Sequence, residues 1–388
     1  MSGAGEARES RGRKLAAALI IACGFLLVGT VYSLGLTERN AASRDYIGYW
    51  AAAQLLAQGQ NPYDEAAVLR TELAGGLGNQ ELKLTPSPPV GLALVLPLGY
   101  FHSKPGLVFW LMAQIGCLAL AIVLLWTMYG RPASRVHLLG FLFAPAIACV
   151  MAGQLGIFLL LGVTLFLLWH EQRPFLAGVA LLPCCLKPHL FLPVALVLLL
   201  WVVAKKKGRL LGGFAAAMAA SYAVVLAYDP QVWTQYWTML HTNNLGGRFA
   251  PTVSAYLRWD VAPLQGWIEF LPTMLACAGA VWFFWRRREG WNWRREGMPV
   301  LLAAIQCAPY AWITDESVLL PAVLAGVYAA IERKRSLVPI ALLAGAALVE
   351  LFANVRITSW YYLWTVPAWI GWYVYATRSQ HDDAPRLP

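Results

Sequence analysis

Apolar runs near 20 residues long recur from one end of this chain to the other, and that is the length a helix needs to cross a bilayer. They fall near 15–36, 105–129, 137–152, 155–169, 174–186, 189–204, 210–228, 264–285, 298–313, 317–331, 337–353 and 360–376. Charged residues make up 13% of the 388, about half the share of a soluble domain. No polar stretch between the runs is long enough for a separate soluble domain. The pattern predicts an all-α, polytopic membrane helical bundle of about twelve transmembrane helices, a single domain over 1–388.

The formal net charge is +10, which raises the question of nucleic acid. The basic residues instead cluster in short runs between apolar segments: RESRGRK near the start, KKKGR at 205–209, RRR at 286–288 and RKR at 333–335. That distribution orients membrane helices, with Lys and Arg kept in the cytoplasm, and it excludes a nucleic-acid partner. With the N-terminus inside, 21 of the 30 Lys and Arg residues fall on the inner side and 9 on the outer. Both termini, 1–14 and 377–388, are then cytoplasmic tails. The large outer loops are 37–104 and 229–263. The apolar segment TPSPPVGLALVLPLGYF, 85–101, carries four prolines; counting it as a crossing would invert every later loop. It is predicted to be a half-inserted helix on the outer side, which requires protein to cover its backbone.

The seven cysteines all lie in apolar segments without metal-ligand spacing and read as core residues. The first apolar run is too long for a signal-peptide core and is expected to be a retained span.

The chemistry gathers in the outer loops. In DYIGYWAAAQLLAQGQNPYD, 45–64, Tyr46, Tyr49, Trp50 and Ala53 follow at helical spacing, and Gln54, Gln58 and Gln60 supply polar positions. An amphipathic helix at the outer interface is expected, stopped by Gly59. Asp45 stands at its start. It can cap the helix, or hold a carboxylate over the mouth of the bundle where it takes a proton from a hydroxyl.

This stretch, followed by PPVGLALVLPL at 88–98, the pair Gly153–Gln154, LKPH at 186–189 and APYAWITDE at 308–316, resembles the GT-C superfamily of integral-membrane glycosyltransferases, specifically glycosyltransferase family 87, the polyprenol-phosphate-mannose-dependent mannosyltransferase-like group. The resemblance covers about 300 residues. It implies a GT-C type bundle with membrane-edge helices in the first outer loop. It also implies an inverting transfer of a hexose, mannose in these relatives, from a polyprenyl-phosphate donor to a glycolipid or glycan acceptor. The transfer would occur at the outer, periplasmic face of a bacterial inner membrane. Asp45 matches the acid these enzymes use as general base.

A departing lipid phosphate calls for cations at the same level. Lys187, at the outer end of a short span, is the first candidate for the donor-phosphate site, although a snorkelling lysine would sit there too. Arg248 and Arg258 in the second outer loop are the others, each able instead to pair with Asp260. Asp315 could bond a sugar or cap its helix. Tyr63, Asn61 and Trp259 are candidate sugar contacts, and His189 and Gln154 lie at the same level. Glu269 and Glu350 are acids within apolar spans, suspects by position alone. No D-x-D pair, His cluster or Gly-rich phosphate loop is present, so neither a metal site nor a cofactor is expected. The competing reading is a multi-span transporter or lipid flippase, which twelve spans with both ends inside would also suit.

Overall fold

The computed structural model describes residues 37, 42–78, 82–83, 86–129, 135–242, 250–353 and 360–378. The expected first span at 15–36, Arg248 and Arg356 lie outside them. Among the described residues every element is helical and none is a strand. The principal helices are α1 (Tyr46–Ala57), α2 (Glu65–Ala74), α3 (Pro89–Val95), α4 (Ser103–Met128), α5 (Ala144–Ala152), α6 (Gly156–Trp169), α7 (Pro174–Ala180) and α8 (Leu192–Ala204). They continue with α9 (Gly208–Tyr228), α10 (Val232–Thr242), α11 (Leu271–Arg287), α12 (Gly297–Gln306), α13 (Leu320–Glu332), α14 (Val338–Phe352) and α15 (Thr365–Thr377).

Three stretches are long and apolar enough to cross a membrane: Ser103–Met128, Gly208–Tyr228 and Gly266–Arg287. The other predicted spans that fall within the described residues are helical but short or broken, against the twelve crossings expected. Prolines at their first turns explain several breaks, because proline suits a helix start and not its interior. Pro145 opens α5, and Pro183 and Pro188 open the 3-10 turns Leu182–Leu186 and Pro188–Leu190. The segment predicted to be half-inserted is α3 followed by the 3-10 turn Leu96–Tyr100. It lies against α9, where the Ser221 hydroxyl donates to Val90 O, so protein covers part of its backbone.

The first outer loop corrects one expectation. α1 is not amphipathic: ten of its twelve residues are buried, Tyr46, Ile47, Ala51, Ala53 and Leu56 completely. Its glutamines are few, and the rest of its surface is wrapped by protein. Gly99 lies so close to Ala53 O that a Cβ there would overlap it, and Gly153 presses on Tyr46. The helix stops as the sequence predicts. Gly59 takes φ 68°, with Gly59 N donating to Leu56 O at 2.9 Å and Gln60 N to Leu55 O at 2.8 Å, the pairing of a Schellman turn. The NPYD turn follows. Asn61 Oδ1 accepts from Tyr63 N at 2.9 Å, and Asp64 caps α2 by accepting from Ala66 N at 2.9 Å and Ala67 N at 3.2 Å.

Candidate active site

Asp45 does not cap α1. Its backbone is already helical, at φ −63° and ψ −21°, and its carboxylate accepts no bond from the helix's N–H groups. The carboxylate turns instead toward Gln154, whose Nε2 donates to Asp45 Oδ2 at 2.7 Å.

Gln154 is held for this. α5 ends at Gly153, which takes φ 69° and cannot carry a side chain, since a Cβ would lie 2.7 Å from Tyr46 Cβ. The turn this creates leaves two carbonyls to satisfy, and α4 supplies donors from one face, four residues apart. Trp110 Nε1 donates to Gly153 O at 2.8 Å, and the buried Gln114 Nε2 donates to Gln154 O. Trp110 also stacks on Tyr49, centroids 6.0 Å apart. The Tyr49 hydroxyl donates to Gln154 Oε1 at 2.8 Å, and Lys187 Nζ donates to the same oxygen at 3.3 Å. These partners fix which way the amide points: the carboxylate needs the NH2, and the hydroxyl and ammonium need the oxygen. Burial, with Asp45 and Asp315 adding to it, pushes the Tyr49 hydroxyl well above its usual range, so it remains a donor.

Lys187 sits where the chain leaves helical geometry, at φ −137° between two 3-10 turns. Its ammonium is paired with Asp315 at 2.6 Å. Asp315 is fully buried, and its other oxygen accepts from Trp312 N at 3.1 Å. A buried pair needs further hydrogen bonds to hold, and here each Asp315 oxygen accepts one, from Lys187 and from Trp312 N. Asp45, Gln154, Lys187 and Asp315, far apart in sequence, thus form one continuous chain. The carboxylate of Asp45 is 27% exposed, with Lys83 Nζ 3.7 Å from its Oδ1. Beside the chain, His189 stacks on Tyr310 at 3.8 Å between centroids. Its buried Nε2 has no hydrogen-bond partner among the described residues.

Other candidates sit elsewhere. Arg258 pairs with Glu269 rather than Asp260, and lies 5.5 Å from the Trp259 ring. No hydrogen bond or ion pair joins it to the Lys187 network among the described residues. Glu350 accepts from Trp364 Nε1 at 2.9 Å. Asn61 is occupied in its own turn, and Tyr63 donates to Ser87 O at 2.7 Å while packing on Tyr236. A cavity of about 610 Å³ is lined by Trp50, Gln54, Gln58, Arg70 and His102 and touches none of the four network residues. Among the described residues, no group of three or more His, Cys, Asp or Glu side chains could hold a metal ion.

Three members were missed from the sequence. Lys83 entered only as one more outer cation, and Tyr49 only as part of an aromatic stripe. Gln114 carried a readable signal, a lone amide in the middle of a long apolar span.

The network has a carboxylate that can accept a proton and an ammonium one amide away that can meet an anion. No curated protein and no solved structure matches the chain. Residues 87–309 match the family model Glycosyltransferase family 87. That is more than half of the 388 residues; the match holds Gln154, Lys187 and His189, while Asp45 and Asp315 fall outside it. The chain belongs to glycosyltransferase family 87.

Proposed function

We propose that the protein transfers a hexose, mannose by its resemblance to family relatives, from a polyprenyl phosphate to an acceptor hydroxyl at the outer face of a bacterial inner membrane, with both termini cytoplasmic. The observation that carries this reading is the Asp45–Gln154–Lys187–Asp315 chain within a glycosyltransferase of family 87. The acceptor oxygen attacks the anomeric carbon and its proton passes to Asp45. The bond from that carbon to the phosphate oxygen breaks, and the lipid phosphate leaves with the electron pair, met by Lys187. A single displacement inverts the anomeric centre.

Gln154 keeps the Asp45 carboxylate oriented, so little reorganisation is needed when the proton moves. Asp315, 2.6 Å from its ammonium, holds Lys187 in place until the donor arrives. His189, whose buried Nε2 has no hydrogen-bond partner among the described residues, is positioned to bond a sugar hydroxyl; Asn61 and Tyr63 belong to the acceptor side. Arg248 and Arg258 are further candidates for the phosphate. The excess of Lys and Arg in the loops assigned to the inner side supports the orientation. Family membership disfavours the transporter reading.

The test is hexose transfer from labelled polyprenyl-phosphate mannose in membranes with matched amounts of wild type and Asp45→Asn. Asn preserves the size and the bond to Gln154 but takes up no proton. A loss of about a hundredfold or more is expected for a general base; equal rates would remove Asp45 from that role.

A further inference from the structure

Between the NPYD turn and α10 runs a groove of about 350 Å³. α10 presents Thr234, Gln235, Thr238 and Thr242 to it, at helical spacings of one face, with Gln231 just before. Thr238 Oγ1 donates to Thr234 O and Thr242 Oγ1 to Thr238 O, both at 2.9 Å. With their hydrogens directed back at the helix, these hydroxyls offer only lone pairs outward. Gln235 Oε1 is buried and has no hydrogen-bond partner among the described residues, which leaves it an acceptor without a donor. Asp64 and Glu65 line the opposite wall. The groove is therefore rich in acceptors, and no Lys or Arg is among the described residues that line it. Such a surface repels phosphate and suits an uncharged molecule carrying many hydroxyl donors. Tyr63, buried and packed on Tyr236 at 5.3 Å between rings, closes the floor of the groove.

We infer that this groove binds the distal sugar units of a neutral oligosaccharide acceptor, and hence that the acceptor is a hydroxyl-rich neutral glycan and not an anionic lipid alone. The inference rests on the transferase reading above. α1, twelve residues long, separates the groove from Asp45 by about 18 Å at the rise of an α-helix; an acceptor of several sugar units spans that distance, leaving its terminal hydroxyl at the carboxylate.

The experiment uses the full chain in lipid nanodiscs. Binding of mannohexaose, maltohexaose and cellohexaose is measured calorimetrically for wild type and for Gln235→Leu/Thr238→Val. At least one hexasaccharide should bind saturably, and the double variant should weaken it at least tenfold, with Thr238→Ser restoring most of it in the single-site background. No binding by any of the three, equal binding by the double variant, or tighter binding of a hexagalacturonate or hexaglucosamine would overturn the inference. Transfer is then compared between the bound hexasaccharide and a methyl hexoside. The kcat/KM advantage of the long acceptor should fall at least tenfold in the double variant; an unchanged advantage also overturns the inference. Wild type that binds the hexasaccharide but transfers nothing would sink the transferase reading and leave the groove standing.

Discussion

α1 and α9 are both apolar helices, yet only α1 is buried in protein. α1 has ten of twelve residues inside the protein. α9 has five of twenty-one, Leu210, Gly213, Ala217, Ser221 and Val225, a single stripe at helical spacing. The rest of α9 is apolar surface that a bilayer would cover. Composition cannot separate these cases, because lipid and protein interior accept the same side chains. The difference lies in what approaches: α1 is met closely on every side, by Gly99 and Gly153 among others, whereas Gly212 in α9 has open space around its Cβ position. The helix that looks like a surface loop element is the rigid floor of the site, and the helices that look like core are the wall facing out.

The largest effect expected on that floor comes from charge. Asp315→Asn strands Lys187, only 15% exposed, and should cost about 3–5 kcal/mol, read as a fall in thermal midpoint in detergent and as loss of transfer. A silent Asp315→Asn would mean that the pair is not part of the floor. The contrasting pair Lys207–Glu171, with Glu171 49% exposed, should lose less than about 1 kcal/mol in Lys207→Gln.

Next is close packing. Gly153→Ala combines a left-handed φ with overlap on Tyr46 and should destabilise by about 2–3 kcal/mol. In α9, Gly212→Ala should be neutral or stabilise by up to about 1 kcal/mol through helix propensity. Similar midpoints for these two variants would break the contrast between the helices.

The smallest concerns pH. Glu72 on α2 is fully buried and both its oxygens accept from Lys83 N at 3.2 Å. Burial pushes its carboxyl up to about 7, against the lowering effect of Lys83. Its folded pKa is above the ordinary carboxylate value, so its contribution is fully present below about pH 4.3 and is lost as pH rises through 7. The thermal midpoint should fall between pH 5.5 and 8 more in wild type than in Glu72→Gln; equal slopes would place the dependence elsewhere.

Much of this was legible in order of residues alone. The apolar periodicity announced helices, Gly59 announced the end of α1, and Asp45, Gln154, Lys187 and Asp315 stood out as polar groups at the ends of apolar segments. Their mutual contacts were not legible, because 109 residues separate Asp45 from Gln154 and 128 separate Lys187 from Asp315, and no local rule carries over such distances. The same limit hid Lys83 and made Asp45 look like a helix cap, a role that any acid before an Ala-rich helix fits. The sequence by itself determined an all-helical chain with apolar spans and the inventory of charges available to a site. Only the tertiary structure decided which charges meet, which amide joins them, and how much of an apolar helix other protein covers. Hydrophobicity is a property of one side chain, whereas a bond between two needs the coordinates of both.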